Sequence, residues 1–123
     1  MTAIRNADAD GNDATVREPS WASLIDTPMH PEYPSGHGIL AGAIAVVLRA
    51  DLAGGAPVPV IATSSPSAKG ATRRWASIDE LVREISDARI HGGLHFRFST
   101  DTAVAMGRQV GELAAFKYFA LPQ

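Results

Sequence analysis

The chain has 123 residues, the size of one small domain. Its 46% apolar and 20% charged residues are ordinary for a globular protein, and a net charge of -2 gives no reason to expect nucleic acid or an anionic membrane surface as a partner. The absence of cysteine excludes disulfides, thiolate metal sites and a cysteine nucleophile.

Residues 1–34 read as an extended lead-in and residues 35–120 as a helical core, together one domain over 1–123. Met1 to Ser20 is polar throughout, so no signal peptide opens the chain, and the compartment stays unknown. Asp8, Asp10, Asn12 and Asp13 approach the spacing of a calcium loop. That pattern demands glycine where Asp13 stands and glutamate where Pro19 stands, so an irregular surface segment is expected instead. Pro28, Pro31 and Pro34 then favour an ordered, extended approach to a helix.

The first helix is predicted over Ser35 to Asp51, with Ser35 as N-cap. It is apolar on both faces: Ile39, Ala43, Val46 and Val47 on one, Leu40, Ile44 and Leu48 on the other. A helix apolar all round is a buried one. Its uninterrupted apolar stretch, Gly38 to Leu48, is far shorter than the ~20 residues that cross a bilayer, so no membrane span is expected and a soluble protein is. Gly38 and Gly42, four apart, invite close approach of another helix. Residues 53–76 are rich in Gly, Pro and Ser, and only Val58 to Thr63 looks extended. The second helix opens on a capping box, Ser77-Ile78-Asp79-Glu80, and Ile78, Leu81, Val82, Ile85 and Ala88 form its apolar stripe. Arg89 follows Ile85 by four and shares that inward face. Gly92-Gly93 weakens or ends the helix. The third helix is predicted from about Thr100 to Ala120, capped by Ser99 or Thr100, with Ala103, Met106, Gly107, Val110, Leu113 and Ala114 buried. The class is all-α: a helix-bundle fragment with about three main helices and long loops.

Two places combine histidine, glycine and cation. Pro34-Ser35-Gly36-His37 lies at a helix N-terminus, where free N–H groups and the helix dipole favour an anion. Gly36 lets an anion reach the backbone, Ser35 offers a hydroxyl, and His37 can relay a proton near neutral pH. The plain alternative is a capped helix start with a solvated histidine. The second place is Arg89-Ile90-His91-Gly92-Gly93-Leu94-His95. A buried arginine can grip two oxygens of an oxyanion, and a histidine can ligate a metal or attack phosphorus. Six residues of unbroken helix turn a side chain by ~600°, so Arg89 and His95 converge only if Gly92-Gly93 breaks the helix or the site wraps around it. The plain alternative is a helix C-cap followed by a core histidine. A zinc site on His30, His37, His91 and His95 lacks the spacing of a helical zinc motif.

Pro34-Ser35-Gly36-His37 followed by Arg89-x5-His95 resembles the second and third motifs of the superfamily of vanadium-dependent haloperoxidases and type 2 phosphatidic acid phosphatases. His30 to His37 is similar to the usual approach to the second motif on the haloperoxidase side, and Ala88 to Phe98 to its third. The resemblance implies vanadate as cofactor, bonded to His95, with His37 as the acid–base histidine and Ser35, Gly36 and Arg89 holding the oxyanion. It implies hydrogen peroxide and halide as substrates, giving hypohalous acid. The alternative it carries is an acid phosphatase that takes a phosphate ester through a phosphohistidine.

The chain departs from the pattern in three places. Ala88 stands where the family usually has serine, and Ser99 where it often has aspartate. The first motif, Lys-x6-Arg-Pro, is missing, and the resemblance implies that it belongs just upstream of Thr2. Two cations are then lacking from the oxyanion site, so activity of this chain alone is expected to be impaired. A non-catalytic helical fragment or interaction module, associating through exposed apolar helix faces as a homo-oligomer, is the competing expectation.

Overall fold

Local capping explains where two of the helices begin. In the computed structural model, which describes residues 2–53 and 60–119, Ser35 is the N-cap of a helix over Gly36–Leu52 (α2), its hydroxyl accepting from the Gly38 N–H. Ser77 caps a helix over Ile78–His91 (α3) by accepting from the Glu80 N–H at 3.1 Å. The Glu80 carboxylate reaches back one residue further than the box pattern predicts, to the Ala76 N–H at 2.9 Å. A short helix over Thr2–Arg5 (α1) and a 3-10 turn over Ala7–Ala9 precede these in a segment read from sequence as irregular. There Asp10 and Asn12 spend their side chains on the local N–H groups of Asn12 and Ala14 and on the Thr15 hydroxyl.

The last helix, Arg97–Phe119 (α4), starts three residues before the predicted Thr100, and its predicted end at Ala120 lies outside the described residues. Its start is set from far away in sequence. The Glu32 carboxylate accepts the Phe96 N–H at 2.8 Å, an anion seated on the positive end of the helix dipole. Ser99 and Thr100, expected as caps, therefore lie inside the first turn and are buried.

Helix α4 lies alongside α2 and runs in the same direction, with a crossing built on small residues. A Cβ on Gly107 would stand 2.1 Å from the Ile39 carbonyl oxygen, and one on Gly42 2.5 Å from that of Val104. This corrects the predicted stripe of α4. Ser99, Thr100, Ala103, Gly107 and Gly111 are buried, while Met106, Val110 and Leu113 face out and Ala114 is exposed. Backbones that touch through glycine need a small-residue face, so the large apolar residues are left on the other side. The core is formed by Ala41, Ala45, Ile78 and Val82, with Leu48, Leu52, Ile85 and Val104 against it. Asp79, at the start of α3, links the three main helices, paired with Arg49 in the last turn of α2 and, at 3.9 Å, Arg108 in the middle of α4.

Between α2 and α3 lies a two-stranded antiparallel hairpin, Ile61–Ser64 (β1) with Thr72–Trp75 (β2), in the register Ile61 opposite Trp75. Of the stretch predicted as extended, Ile61 to Thr63 lies in β1, whereas Val58 and Pro59 lie outside the described residues. The second strand, Thr-Arg-Arg-Trp, lacks an alternating apolar pattern, and α3 holds it. Arg73 makes two contacts of 2.7 Å to the Glu84 carboxylate, and the Trp75 indole N–H donates to the same group at 2.8 Å. The fold remains predominantly helical, as composition and periodicity predict. No helix among the described residues is long and apolar enough to cross a membrane.

Candidate functional site

The Gly92-Gly93 pair ends α3 in a defined way. Gly93 takes φ +75°, its N–H bonds the Ile90 carbonyl at 2.9 Å, and the Leu94 N–H bonds the Arg89 carbonyl at 3.0 Å. These are the two reversed bonds of a Schellman turn, which needs a residue free to adopt a left-handed conformation. The His95 N–H then folds back to the same Arg89 carbonyl at 3.2 Å. The chain doubles back on Arg89 before α4 begins, so the unbroken-helix geometry that would set Arg89 and His95 on different faces does not arise. A side chain on Gly93 would run into Trp21, 2.9 Å away, and the Leu24 N–H donates to the Gly92 carbonyl at 3.1 Å. The proline-rich lead-in thus packs against this turn.

The same lead-in reaches His95. The His95 Nδ1 lies 2.6 Å from the Glu32 carbonyl oxygen. A carbonyl can only accept, so Nδ1 carries the proton, and in the neutral ring Nε2 keeps its lone pair. Ser99 donates its hydroxyl to that carbonyl at 2.7 Å, and the Ser35 N–H donates to the Ser99 carbonyl at 3.4 Å. His95 is 1% exposed and Ser35 fully buried. The His30 ring stacks on His95, centroids 5.7 Å apart and planes 13° off parallel.

Two buried atoms here have no hydrogen-bond partner: His95 Nε2 and Arg89 Nε. Leaving such a group unsatisfied costs about 1–3 kcal/mol, more when it is charged, so a ligand that supplies an acceptor to one and an acid to the other would recover it. Burial lowers the Arg89 pKa, and the group has no acidic partner among the described residues. His37, largely exposed at the second position of α2, has its pKa lowered first by the partial desolvation of its ring and then by the charges of Arg89, His95 and His30. Those four side chains therefore share one electrostatic neighbourhood, in which the Arg89 guanidinium has no carboxylate partner among the described residues. Gly36 at the helix start faces open space where a Cβ would be. An apolar hollow of about 190 Å³, walled by Leu40, Ile44, Leu81 and Ile85, opens beside His37.

Of the residues picked out in sequence, His37, Arg89 and His95 come together electrostatically, and Ser35 is linked to His95 through Ser99. Glu32 was missed, although it stands in the quoted approach to the second motif. The available signal was a carboxylate lodged between Pro31 and Pro34 inside that approach. His91 is exposed on the last turn of α3 and lines a separate hollow with Arg73, Glu84 and Ala88. Among the described residues no three histidine, aspartate or glutamate side chains converge to hold a metal ion by themselves.

Comparison with known proteins gives the family. The sequence model described as the VCPO second helical-bundle domain matches residues 1–121. Among solved structures, a bacterial vanadium-dependent iodoperoxidase superposes with TM-score 0.69 at 30% identity, over 80% of this chain and 24% of that one. Apo-type and holo-type bacterial vanadium-dependent chloroperoxidases superpose with TM-scores of 0.64 and 0.67, both at 24% identity, over 82% and 81% of this chain and 24% and 23% of theirs, and support the fold. The chain thus spans about a quarter of the length of these structures. No curated protein matches. With its motifs, fold and family match in agreement, the chain belongs to the VCPO second helical-bundle domain family, within the superfamily of vanadium-dependent haloperoxidases and type 2 phosphatidic acid phosphatases.

Proposed function

We propose that this chain carries the histidine side of a haloperoxidase site, binding vanadate through His95 and serving the oxidation of halide by hydrogen peroxide. The observation that carries the reading is the His95 Nε2: buried, unpartnered and left with its lone pair by the Nδ1 contact. The residues present fit an oxyanion bound there. Arg89 offers an unpaired guanidinium N–H, the Ser35 hydroxyl still has its proton to give while accepting from Gly38, and the Gly36 amide opens at a helix N-terminus. His37, kept neutral more readily by its lowered pKa, takes and returns a proton at the open side of the pocket. When bound, vanadate supplies Lewis acidity toward peroxide without changing oxidation state. Halide oxidised there leaves as hypohalous acid.

The 123 residues contain no Lys-x6-Arg-Pro. In the isolated chain Arg89 therefore faces the anion with His37, the Ser35 hydroxyl and backbone amides. A missing buried cation costs about 2–5 kcal/mol of binding, so each of two lowers affinity by roughly one and a half to three and a half powers of ten. The isolated chain is accordingly a weak vanadate binder with impaired turnover, and it self-associates through the exposed faces of α2 and α4.

Vanadium-51 NMR titration of the wild-type chain, His95→Ala and His37→Ala provides the test. Binding disappears in His95→Ala and persists in His37→Ala, which instead loses peroxide-driven halide oxidation. Equal loss of binding in both variants removes the ligand and proton-transfer assignments. The same free Nε2 is what attack on a phosphate ester requires, so hydrolysis of an aryl phosphate without halide oxidation would select the phosphatase reading. No vanadate shift and neither activity would leave a non-catalytic module.

A further inference from the structure

We propose that Glu32 is a positioning residue for His95: its main-chain carbonyl fixes the ring as the Nδ1–H tautomer, and its carboxylate locks that carbonyl against the start of α4. The use made of the freed Nε2 rests on the function proposed above, whereas the tautomer does not.

The contacts around His95 leave one group to decide the tautomer. The Glu32 carbonyl is 2.6 Å from Nδ1. The Ser99 hydroxyl lies 3.5 Å from Nδ1 and already gives its proton to the Glu32 carbonyl at 2.7 Å. The Glu32 carboxylate stands 3.5 Å from Nδ1, too far for a good hydrogen bond. His30 stacks on the ring and restrains its plane, without a bond to either nitrogen. A ring flip would turn the Cδ2 carbon to the Glu32 carbonyl, and a switch to the Nε2–H tautomer would leave that carbonyl facing an unprotonated nitrogen; either loses the hydrogen bond.

The carbonyl must itself be held. It belongs to a lead-in between Pro31 and Pro34, which has no sheet or helix ladder of its own. Three bonds tie it to the region after His95: the carboxylate to the Phe96 N–H at 2.8 Å, the Ser99 hydroxyl to the carbonyl, and the Ser35 N–H to the Ser99 carbonyl. The first of these is the strongest, because its acceptor is charged and sits at a helix N-terminus. One residue therefore caps α4 with its side chain and orients His95 with its backbone. The start of the helix and the direction of Nε2 are set together.

The test reads the imidazole directly and needs no bound anion. Long-range proton–nitrogen correlation spectra of the nitrogen-15-labelled chain should show His95 with a protonated Nδ1 and an unprotonated Nε2. In Glu32→Gln, whose amide oxygen can still accept the Phe96 N–H, that pattern should persist. In Glu32→Ala the two tautomers should mix, and Nδ1–H exchange should accelerate about tenfold or more, as expected for loss of one restraining hydrogen bond. Should Glu32→Ala fail to fold, Glu32→Asp replaces it: the charge is kept, the reach to Phe96 is lost, and the spectrum should shift the same way. A wild-type His95 protonated on Nε2 would overturn the proposal. So would wild-type spectra in whichever of Glu32→Ala and Glu32→Asp is folded. Vanadate titration of the same samples separates the two readings: the expected tautomer pattern with no vanadate binding retires the proposed function and leaves the positioning role in place.

Discussion

At the scale of single residues, His37 is where charge and burial make a measurable demand. Its folded-state pKa lies below the ordinary 6.5, first through desolvation and then through Arg89, His95 and His30. The unfolded chain then holds more protons than the folded one wherever the pH lies between the two values. The penalty is absent above the unfolded value and grows as the pH falls toward the folded one. Urea midpoints measured at about pH 7.5 and about pH 5.5 should therefore fall on acidification, less in His37→Gln than in the wild type. Proton NMR titration of His37 should show its pKa rising in Arg89→Gln without full return to 6.5, because burial is the larger cause. A pKa that does not move would mean that Arg89 and His37 are further apart than the shared electrostatics imply.

At the scale of elements, the contact of α2 with α4 is the most demanding. Alanine in place of a mid-helix glycine normally gains up to about 1 kcal/mol. At Gly107 the added Cβ would meet the Ile39 carbonyl oxygen at 2.1 Å and the Ala43 nitrogen at 3.0 Å. Both are backbone atoms, so no rotamer change relieves the clash and the helices must separate. Overpacking of this kind costs about 1–3 kcal/mol, so Gly107→Ala should be a net loss and lower the urea midpoint. A raised midpoint would show a looser crossing. The site would also suffer, because α2 carries Ser35, Gly36 and His37 at its start and α4 begins at the Phe96 amide. Moving one helix against the other moves the helix-end donors relative to His95.

For the whole molecule, the sequence-level expectation of a helix buried on all sides meets a different outcome. Leu40 is 61% exposed and Ile44 45%, while Val110 and Leu113 are each 57% exposed on α4. Two other helices cover only part of an all-apolar α2, and the glycine-faced contact turns the large residues of α4 outward. Such surfaces associate in water. Sedimentation velocity on the isolated chain should show association that grows with concentration, and the paired substitution Val110→Lys with Leu113→Lys should suppress it without changing helix content. A monodisperse monomer at high concentration would mean that these faces are too small or too divided to pair.

The sequence by itself determined what lies within a few residues along the chain. Ser35 and Ser77 cap helices because their acceptors and the amides they bind are three residues apart. Gly93 ends α3 because the turn needs a positive φ. The residues proposed to bear the chemistry were legible for the same reason, as short motifs at helix ends. Tertiary structure alone decided the rest. The start of α4 depends on Glu32, 64 residues before Phe96. The outward turn of Met106, Val110 and Leu113 depends on α2 claiming the glycine face. The second hairpin strand depends on Glu84 holding Arg73 and Trp75. The His95 tautomer depends on a carbonyl in the lead-in. Hydrogen bonds and steric contacts between distant segments leave no periodic trace in the sequence; only folding brings their partners into reach.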